Sequence, residues 1–163
     1  RRQYGCDFIA AMPTNLYGPN DNFDLQTAHV LAALIRRFHE AREQGTPPTL
    51  WGSGTPRREF LHVDDCAEAC LFLMERYSDA MIMNVGVGQD ITIAELASLV
   101  AEVVGYRGAI QWDRTKPDGM ARKLMDSSRI AALGWTSKIP LRQGLRDAYR
   151  WYQGHVGELM LCD

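Results

Sequence analysis

Cys6-Asp7-Phe8-Ile9-Ala10-Ala11-Met12, closed by Pro13, is the stretch that decides the fold class. It is apolar at almost every position and too short for an ordinary helix. Such a run suits a strand buried on both faces, the habit of parallel sheets. Upstream, Arg1-Arg2-Gln3-Tyr4-Gly5 reads as the end of a helix with Gly5 as its cap, so residues before Arg1 are expected. Downstream, residues 14–24 carry Asn15, Gly18, Pro19, Asn20 and Asp21 and read as a loop.

Helices and strands then alternate. Residues 27–44 put Val30, Leu31, Leu34, Ile35 and Phe38 on one helical face, ended by Gly45 and two prolines. Residues 49–51 form a brief strand, Gly52-Ser53-Gly54-Thr55-Pro56 a turn-rich loop, and residues 58–62 a strand again. A helix starts at Asp64 or Asp65 and runs to about Tyr77, its acidic first turn suiting the helix dipole. Residues 81–85 form a strand closed by Gly86 and Gly88. Thr92-Ile93-Ala94-Glu95 is a capping box opening a helix with Leu96, Leu99, Val100, Val103 and Val104 on one stripe. Residues 109–112 read as a strand, Lys116-Pro117-Asp118-Gly119 as a turn, and residues 127–133 and 141–152 as the last helices. Residues 154–163 show no clear pattern and are expected to fray. The alternation means α/β.

Of the 163 residues, 46% are hydrophobic and 23% charged, the balance of a globular protein with a real core. Lys and Arg number 18 against 20 Asp and Glu, so nothing in the charge points to nucleic acid. No apolar stretch approaches the roughly 20 residues that span a bilayer. Cys6, Cys66, Cys70 and Cys162 form no CxxC pair, and no further ligands surround them. They read as buried or partly buried free thiols in a reducing, cytoplasmic compartment, with no metal. The glycine-rich dinucleotide fingerprint is absent, and Gly52-Ser53-Gly54 has no helix behind it. The chain by itself is therefore expected to hold no dinucleotide and to show no reductase activity.

Three segments in order carry a resemblance. Met12-Pro13-Thr14-Asn15-Leu16-Tyr17-Gly18-Pro19, Arg58-Glu59-Phe60-Leu61-His62-Val63-Asp64-Asp65 and Met83-Asn84-Val85-Gly86-Val87-Gly88 resemble matching segments of extended short-chain dehydrogenases/reductases. Asp21-Asn22-Phe23, His29-Val30, Leu34-Ile35-Arg36-Arg37-Phe38-His39-Glu40-Ala41, Trp51-Gly52-Ser53-Gly54-Thr55-Pro56 and Lys116-Pro117-Asp118-Gly119 resemble one branch, the GDP-L-fucose synthase family. The resemblance implies the C-terminal part of an extended Rossmann-type enzyme with a small α/β substrate-binding domain. Residues 1–14 and 59–87 would be remaining elements of the NADP-binding domain, 15–58 and 88–153 the GDP-sugar domain, and 154–163 a tail. The cofactor fingerprint, the Ser, Tyr and Lys of the catalytic triad and a partner Cys would lie outside this chain. Homodimerisation is expected from the family.

The implied reaction epimerises GDP-4-keto-6-deoxy-D-mannose beside its ketone and reduces it with NADPH to GDP-L-fucose. Epimerisation needs a base on one face of a planar enolate and an acid on the other, work that suits a group titrating near neutrality. A lone helix His is more often a partly buried structural residue, but His29 coincides with the family's acid/base His. The resemblance also places His29 with Pro13, Thr14, Asn15 and Leu16 at the cofactor. Ligands of open α/β sheets sit at the carboxyl ends of strands, where this loop begins. Asn15 offers an amide donor and an acceptor. Arg37 and Arg58 match substrate contacts; Arg suits bidentate diphosphate binding, although an isolated Arg is by default a solvated surface group. Arg36 and Arg57 are read as exposed neighbours. Trp51 and Asp118 match further substrate contacts, against plainer readings as core aromatic and turn residue. Asp64 and Asp65 read as structural, and His39, His62 and His155 carry no functional reading. Two alternatives stay open: a related epimerase or dehydratase for another nucleotide sugar, and a non-catalytic fragment.

Overall fold

The computed structural model describes residues 1–159, with side chains through residue 157, so Cys162 lies outside the described residues. In chain order the elements are β1 (Ala11–Pro13), β2 (Asn15–Tyr17), α1 (Val30–Gln44), β3 (Thr49–Trp51), β4 (Arg57–Arg58), β5 (Phe60–His62) and α2 (Val63–Arg76). They continue with β6 (Met83–Val85), β7 (Ile91–Thr92), α3 (Ile93–Val104), β8 (Gln111–Asp113), β9 (Arg122–Lys123), α4 (Ser128–Ala132) and α5 (Leu141–Leu159). β1 pairs with β6, β2 with β5 and β3 with β8, all parallel. β4 lies between antiparallel β7 and parallel β9.

The helices form where periodicity and caps place them. α1 buries Leu31, Leu34, Ile35 and Phe38 and stops at Gly45, which is in the left-handed conformation. α3 opens on the reciprocal Thr92–Glu95 capping box and buries Leu96, Val100 and Val104 against α1 and α5. A first core cluster joins these faces to Tyr17, Phe23, Leu50, Phe60, Leu145 and Tyr152. Each fully buried Leu, Ile or Phe there contributes about 1.5–3 kcal/mol. A second cluster gathers Leu61, Cys66, Leu73, Met83, Val85, Ile130 and Trp135 from β5, α2, β6 and the α4 region. Adjacent residues of β5, Phe60 and Leu61, thus serve different clusters because successive strand side chains point to opposite faces.

Helix α5 approaches β2 and β5 at Gly144. A Cβ built there would stand 2.3 Å from the Tyr17 hydroxyl and 2.8 Å from His62 Cδ2. Both rings are buried and have nowhere to retreat. Gly144→Ala is expected to cost about 1–3 kcal/mol through overpacking. A thermal melt of the intact protein should drop by several degrees; an unchanged melting temperature would mean the helix does not pack this closely.

Several sequence expectations are corrected. The strand expected over residues 6–12 is confined to Ala11–Pro13 and is exposed rather than buried on both faces, with Phe8 74% accessible. Among the described residues it pairs with β6 alone, and one neighbour cannot cover it. The loop expected over 14–24 begins with β2, which finds its partner β5 over forty residues away in sequence. The strand expected over 58–62 is split into β4 and β5, with the fully buried Glu59 between them. The last helix runs to Leu159 instead of ending near residue 152, and residues 160–163 lie outside the described residues. Two two-residue strands, β7 and β9, went unread because pairs so short carry no periodicity. Cys70 is exposed, unlike the buried or partly buried thiol expected. Cys66 is buried beneath the same helical face, and burial pushes its thiol pKa up, helped by Cys70 one turn away.

Candidate functional site

The loop before α1 is built to present one side chain. Asp24 Oδ1 accepts from the backbone N–H groups of Gln26 and Thr27 and from the Thr27 hydroxyl at 2.7–3.1 Å. Asn22 Nδ2 donates to the same hydroxyl at 2.8 Å. Phe23 anchors this knot, its ring 4.7 Å from Tyr152 and 5.9 Å from Trp151 on α5. These bonds hold residues 25–27 as a turn, so the helix starts at Val30 and not at residue 27. His29 becomes the N-cap residue, with no side-chain capping bond, rather than a first-turn residue.

His29 borders a cleft of about 750 Å³ together with Pro13, Thr14, Asn15 and Leu16. The same cleft is lined by Asp21 and by Met120, Arg122, Lys123, Leu124 and Met125. It lies at the carboxyl ends of the parallel strands β1 and β6, where Thr14 N donates to Val85 O at 3.0 Å. Its size falls in the range that takes a cofactor-sized group. Thr14 Oγ1 and Asn15 Nδ2 both donate to the Glu59 carbonyl, at 3.3 and 2.7 Å, so these donors hold the wall in place. Burial pushes the Asp21 carboxyl up, offset by a bond from Asn22 N and by the charge of His29.

Two smaller grooves of about 160 and 170 Å³ share Val30, Trp51 and Ile93. The first is bordered by Arg37, the second by Arg58, Pro117, Asp118 and Gly119. Val30 follows His29, and Met120 follows Gly119, so residues adjacent in sequence line the cleft and the grooves. Trp51 is 67% exposed and is no core residue; Lys116 Nζ stands 5.5 Å from its ring centre. Arg37 has no hydrogen-bond or ion-pair partner among the described residues, which leaves its guanidinium available to an anion. Arg58 Nη1 donates to the carbonyls of Arg57 and Met120, both at 2.7 Å, tying β4 to the segment beyond the turn.

Asp118 accepts from Ser53 N at 2.8 Å and from Ser53 Oγ at 2.6 Å. These bonds, the hydroxyl's first, hold its carboxyl below the ordinary aspartate range. The turn therefore has a second duty, joining residues 52–54 beside Trp51 to residues 117–119. Asp118→Ala is expected to release residues 52–54 from residues 117–119, read in the intact protein as faster hydrogen exchange at the Ser53 amide. Unchanged protection of that amide would mean that the clasp does not depend on Asp118. The depressed pKa means that the tie is in place at neutral pH and is released as pH falls below the ordinary aspartate range.

Arg36 and Arg57 are not the exposed neighbours expected. Arg36 is largely buried, paired with Glu40 at 2.8 Å and bonded to Phe23 O. Arg57 pairs with Asp90 at 2.8 Å. Asp90 also takes Arg122, and these two partners, Arg122 first, hold its carboxyl low. Asp65 is buried and accepts from the backbone N–H groups of Lys138 and Ile139, a structural role. Asp21, Arg122 and Lys123 are site residues that sequence reasoning missed. Arg122 and Lys123 form an adjacent basic pair just past the Pro-Asp-Gly turn, the one local signal available.

A separate cavity of about 610 Å³ is lined by Arg57, Arg58, Phe60, residues 87 and 89–91, Glu95 and residues 137–141. Arg57 is committed to Asp90, Lys138 to Glu68 and Glu95 to the α3 cap, while Arg58 borders both this cavity and the groove beside Trp51. Among the described residues no group of His, Cys, Asp and Glu is gathered as a metal site. No helix among them is long and apolar enough to cross a membrane.

Residues 1–86 match the model of the NAD dependent epimerase/dehydratase family. The chain is 59% identical over 157 residues to GDP-L-fucose synthase 1 of Arabidopsis thaliana, covering 96% of this chain and 49% of that protein. It is 50% identical over 161 residues to GDP-L-fucose synthase of Escherichia coli K12, covering 93% of this chain and 50% of the relative. The crystal structure of a GDP-L-fucose synthetase from Naegleria fowleri bound to NADP superposes with a TM-score of 0.87 at 28% identity, over 92% of this chain and 48% of that one. The chain thus spans about half the length of the curated relatives it matches.

Proposed function

Since this chain belongs to the NAD dependent epimerase/dehydratase family, we propose that it is the substrate-binding part of an enzyme that makes GDP-L-fucose. The substrate is GDP-4-keto-6-deoxy-D-mannose, the cofactor NADP, and the working form a cytoplasmic homodimer. One observation carries this reading. His29 and Pro13–Leu16 border one cleft, and Arg37, Trp51, Arg58 and Asp118 border two grooves that share Val30, the neighbour of His29 in sequence.

In this arrangement Arg37 and Arg58 hold the diphosphate, and the exposed Trp51 ring gives the nucleotide sugar a flat apolar face. The hexose then lies toward His29. Loss of a proton beside the ketone leaves a planar enolate, and His29 returns a proton from one face to invert the carbon. Asp21, which lines the same cleft, supports the imidazolium that forms while the ring awaits its next transfer. Pro13–Leu16 line the nicotinamide side of the cleft, and the bound cofactor supplies hydride to the ketone. The opposing acid/base group and the groups that protonate the ketone oxygen come from sequence outside this chain.

The test is NADPH oxidation by the intact protein with GDP-4-keto-6-deoxy-D-mannose, with the product identified by NMR. GDP-L-fucose is the expected product. Turnover of a UDP-sugar instead, or reduction without inversion, would replace this reading with that of a related nucleotide-sugar enzyme.

A further inference from the structure

Glu59 stands out among the residues that the reaction does not use. It is fully buried. Its carboxylate meets backbone donors and, among the described residues, no cation: Oε1 accepts from Gly88 N at 2.7 Å and Oε2 from Met125 N at 3.1 Å. Its carbonyl takes Thr14 Oγ1 and Asn15 Nδ2. Gly86 clears the space, since a Cβ there would stand 2.5 Å from Oε1. A buried carboxylate is costly unless its oxygens are bonded, so a residue placed this way holds its partners firmly.

Each partner leads to the cleft. Thr14 and Asn15 belong to one of its lining segments, and Met125 ends another, residues 120–125. Gly88 lies two residues before Asp90, and Asp90 in turn holds Arg122, which lines the cleft. Glu59 is also where the expected single strand breaks into β4 and β5. β4 runs to β7 and β9, while β5 runs to β2. The break turns the side chain inward between the two pairings.

We propose that Glu59 is a positioning residue: its carboxylate and carbonyl bind residues 14–15, the Gly88 turn and Met125 into one frame, which sets the cleft's lining against His29. The proposal rests on the functional reading above for what the cleft does, but not for the frame itself. Glu59 is not itself among the residues that line the cleft.

The experiment uses the intact protein. Glu59→Gln keeps the side-chain volume but leaves one acceptor oxygen where two N–H groups point. It is assayed at a temperature where its own melting curve shows it folded. KM for the GDP-sugar is expected to rise about tenfold or more, the effect of one lost bond to a charged acceptor, and kcat to fall with it. Glu59→Asp retains the charge but is too short to reach both donors, and the same outcome is expected. A folded Glu59→Gln protein with wild-type KM and kcat and only a lower melting temperature would reduce Glu59 to a stability residue and end the proposal. Amide hydrogen exchange on the unaltered protein covers the case in which the variants do not fold. The Gly88 and Met125 amides are expected to be protected, and rapid exchange at either one is incompatible with the frame. Protection at both amides with no conversion of the GDP-sugar by the unaltered protein would overturn the functional reading alone.

Discussion

Replacing His29 with Gln is expected to collapse conversion to the L-fucose configuration while binding of NADPH and of the GDP-sugar persists. His29 is the N-cap of α1, without a capping bond to lose, and it borders the cleft. The substitution therefore removes the proposed proton donor and no capping bond of the helix. General acid catalysis typically contributes about 10²–10⁴-fold, and the loss should fall in that range. Exchange of sugar protons with solvent deuterium should continue through the opposing group, because removing a proton does not require the acid that returns one. NMR of the products in deuterated water reads both events, and a substrate reduced without full inversion is an expected by-product. Formation of GDP-L-fucose at the wild-type rate would return His29 to the status of a helix-capping residue and send the search for the acid to Asp21 and Lys123, which line the same cleft.

Arg58→Ala is expected to weaken GDP-sugar binding by roughly 10- to 150-fold, the value of a charge-assisted contact, with a smaller effect on NADPH. The structure adds a reason beyond charge. Nη1 is already spent on the carbonyls of Arg57 and Met120, which leaves the rest of the guanidinium to meet phosphate. Arg58 thus holds the segment that follows Asp118, apart from the diphosphate contact proposed for it. Arg58→Lys keeps the charge but has a single ammonium, which cannot hold two carbonyls and a diphosphate in the fixed fork of a guanidinium. It should recover only part of the affinity. Calorimetry with GDP separates the outcomes: full recovery by Lys would mean charge alone matters, and unchanged affinity in the Ala variant would remove Arg58 from the site.

The resemblance to a family named the expected site residues one by one, but several of them serve the structure in ways that no motif announces. Asn15 was expected to present both ends of its amide; its donor end is bonded to Glu59 O. Asp118 was expected as a ligand contact and is also the clasp between two turns. Trp51, alone in sequence an ordinary core aromatic, is exposed where two grooves meet. In each case the side chain's partners come from remote parts of the chain, so a local pattern cannot show which of its atoms are already taken.

The existence of the helices, though not every end of them, was determined by the sequence alone. Their hydrogen bonds close within four residues, so periodicity, the Thr92–Glu95 box and the Gly45 stop suffice to write α1 and α3. The α/β class followed from their alternation with apolar runs. Tertiary structure decided the strands, because a three-residue strand exists only through its partner. β2 appears in an expected loop because β5 lies beside it, and one expected strand divides at Glu59 because two pairings diverge there. It also decided the cleft. Residues 13–16 and 120–125 are about a hundred positions apart, and the buried Glu59 bonds to both, its carbonyl to Thr14 and Asn15 and its carboxylate to Met125.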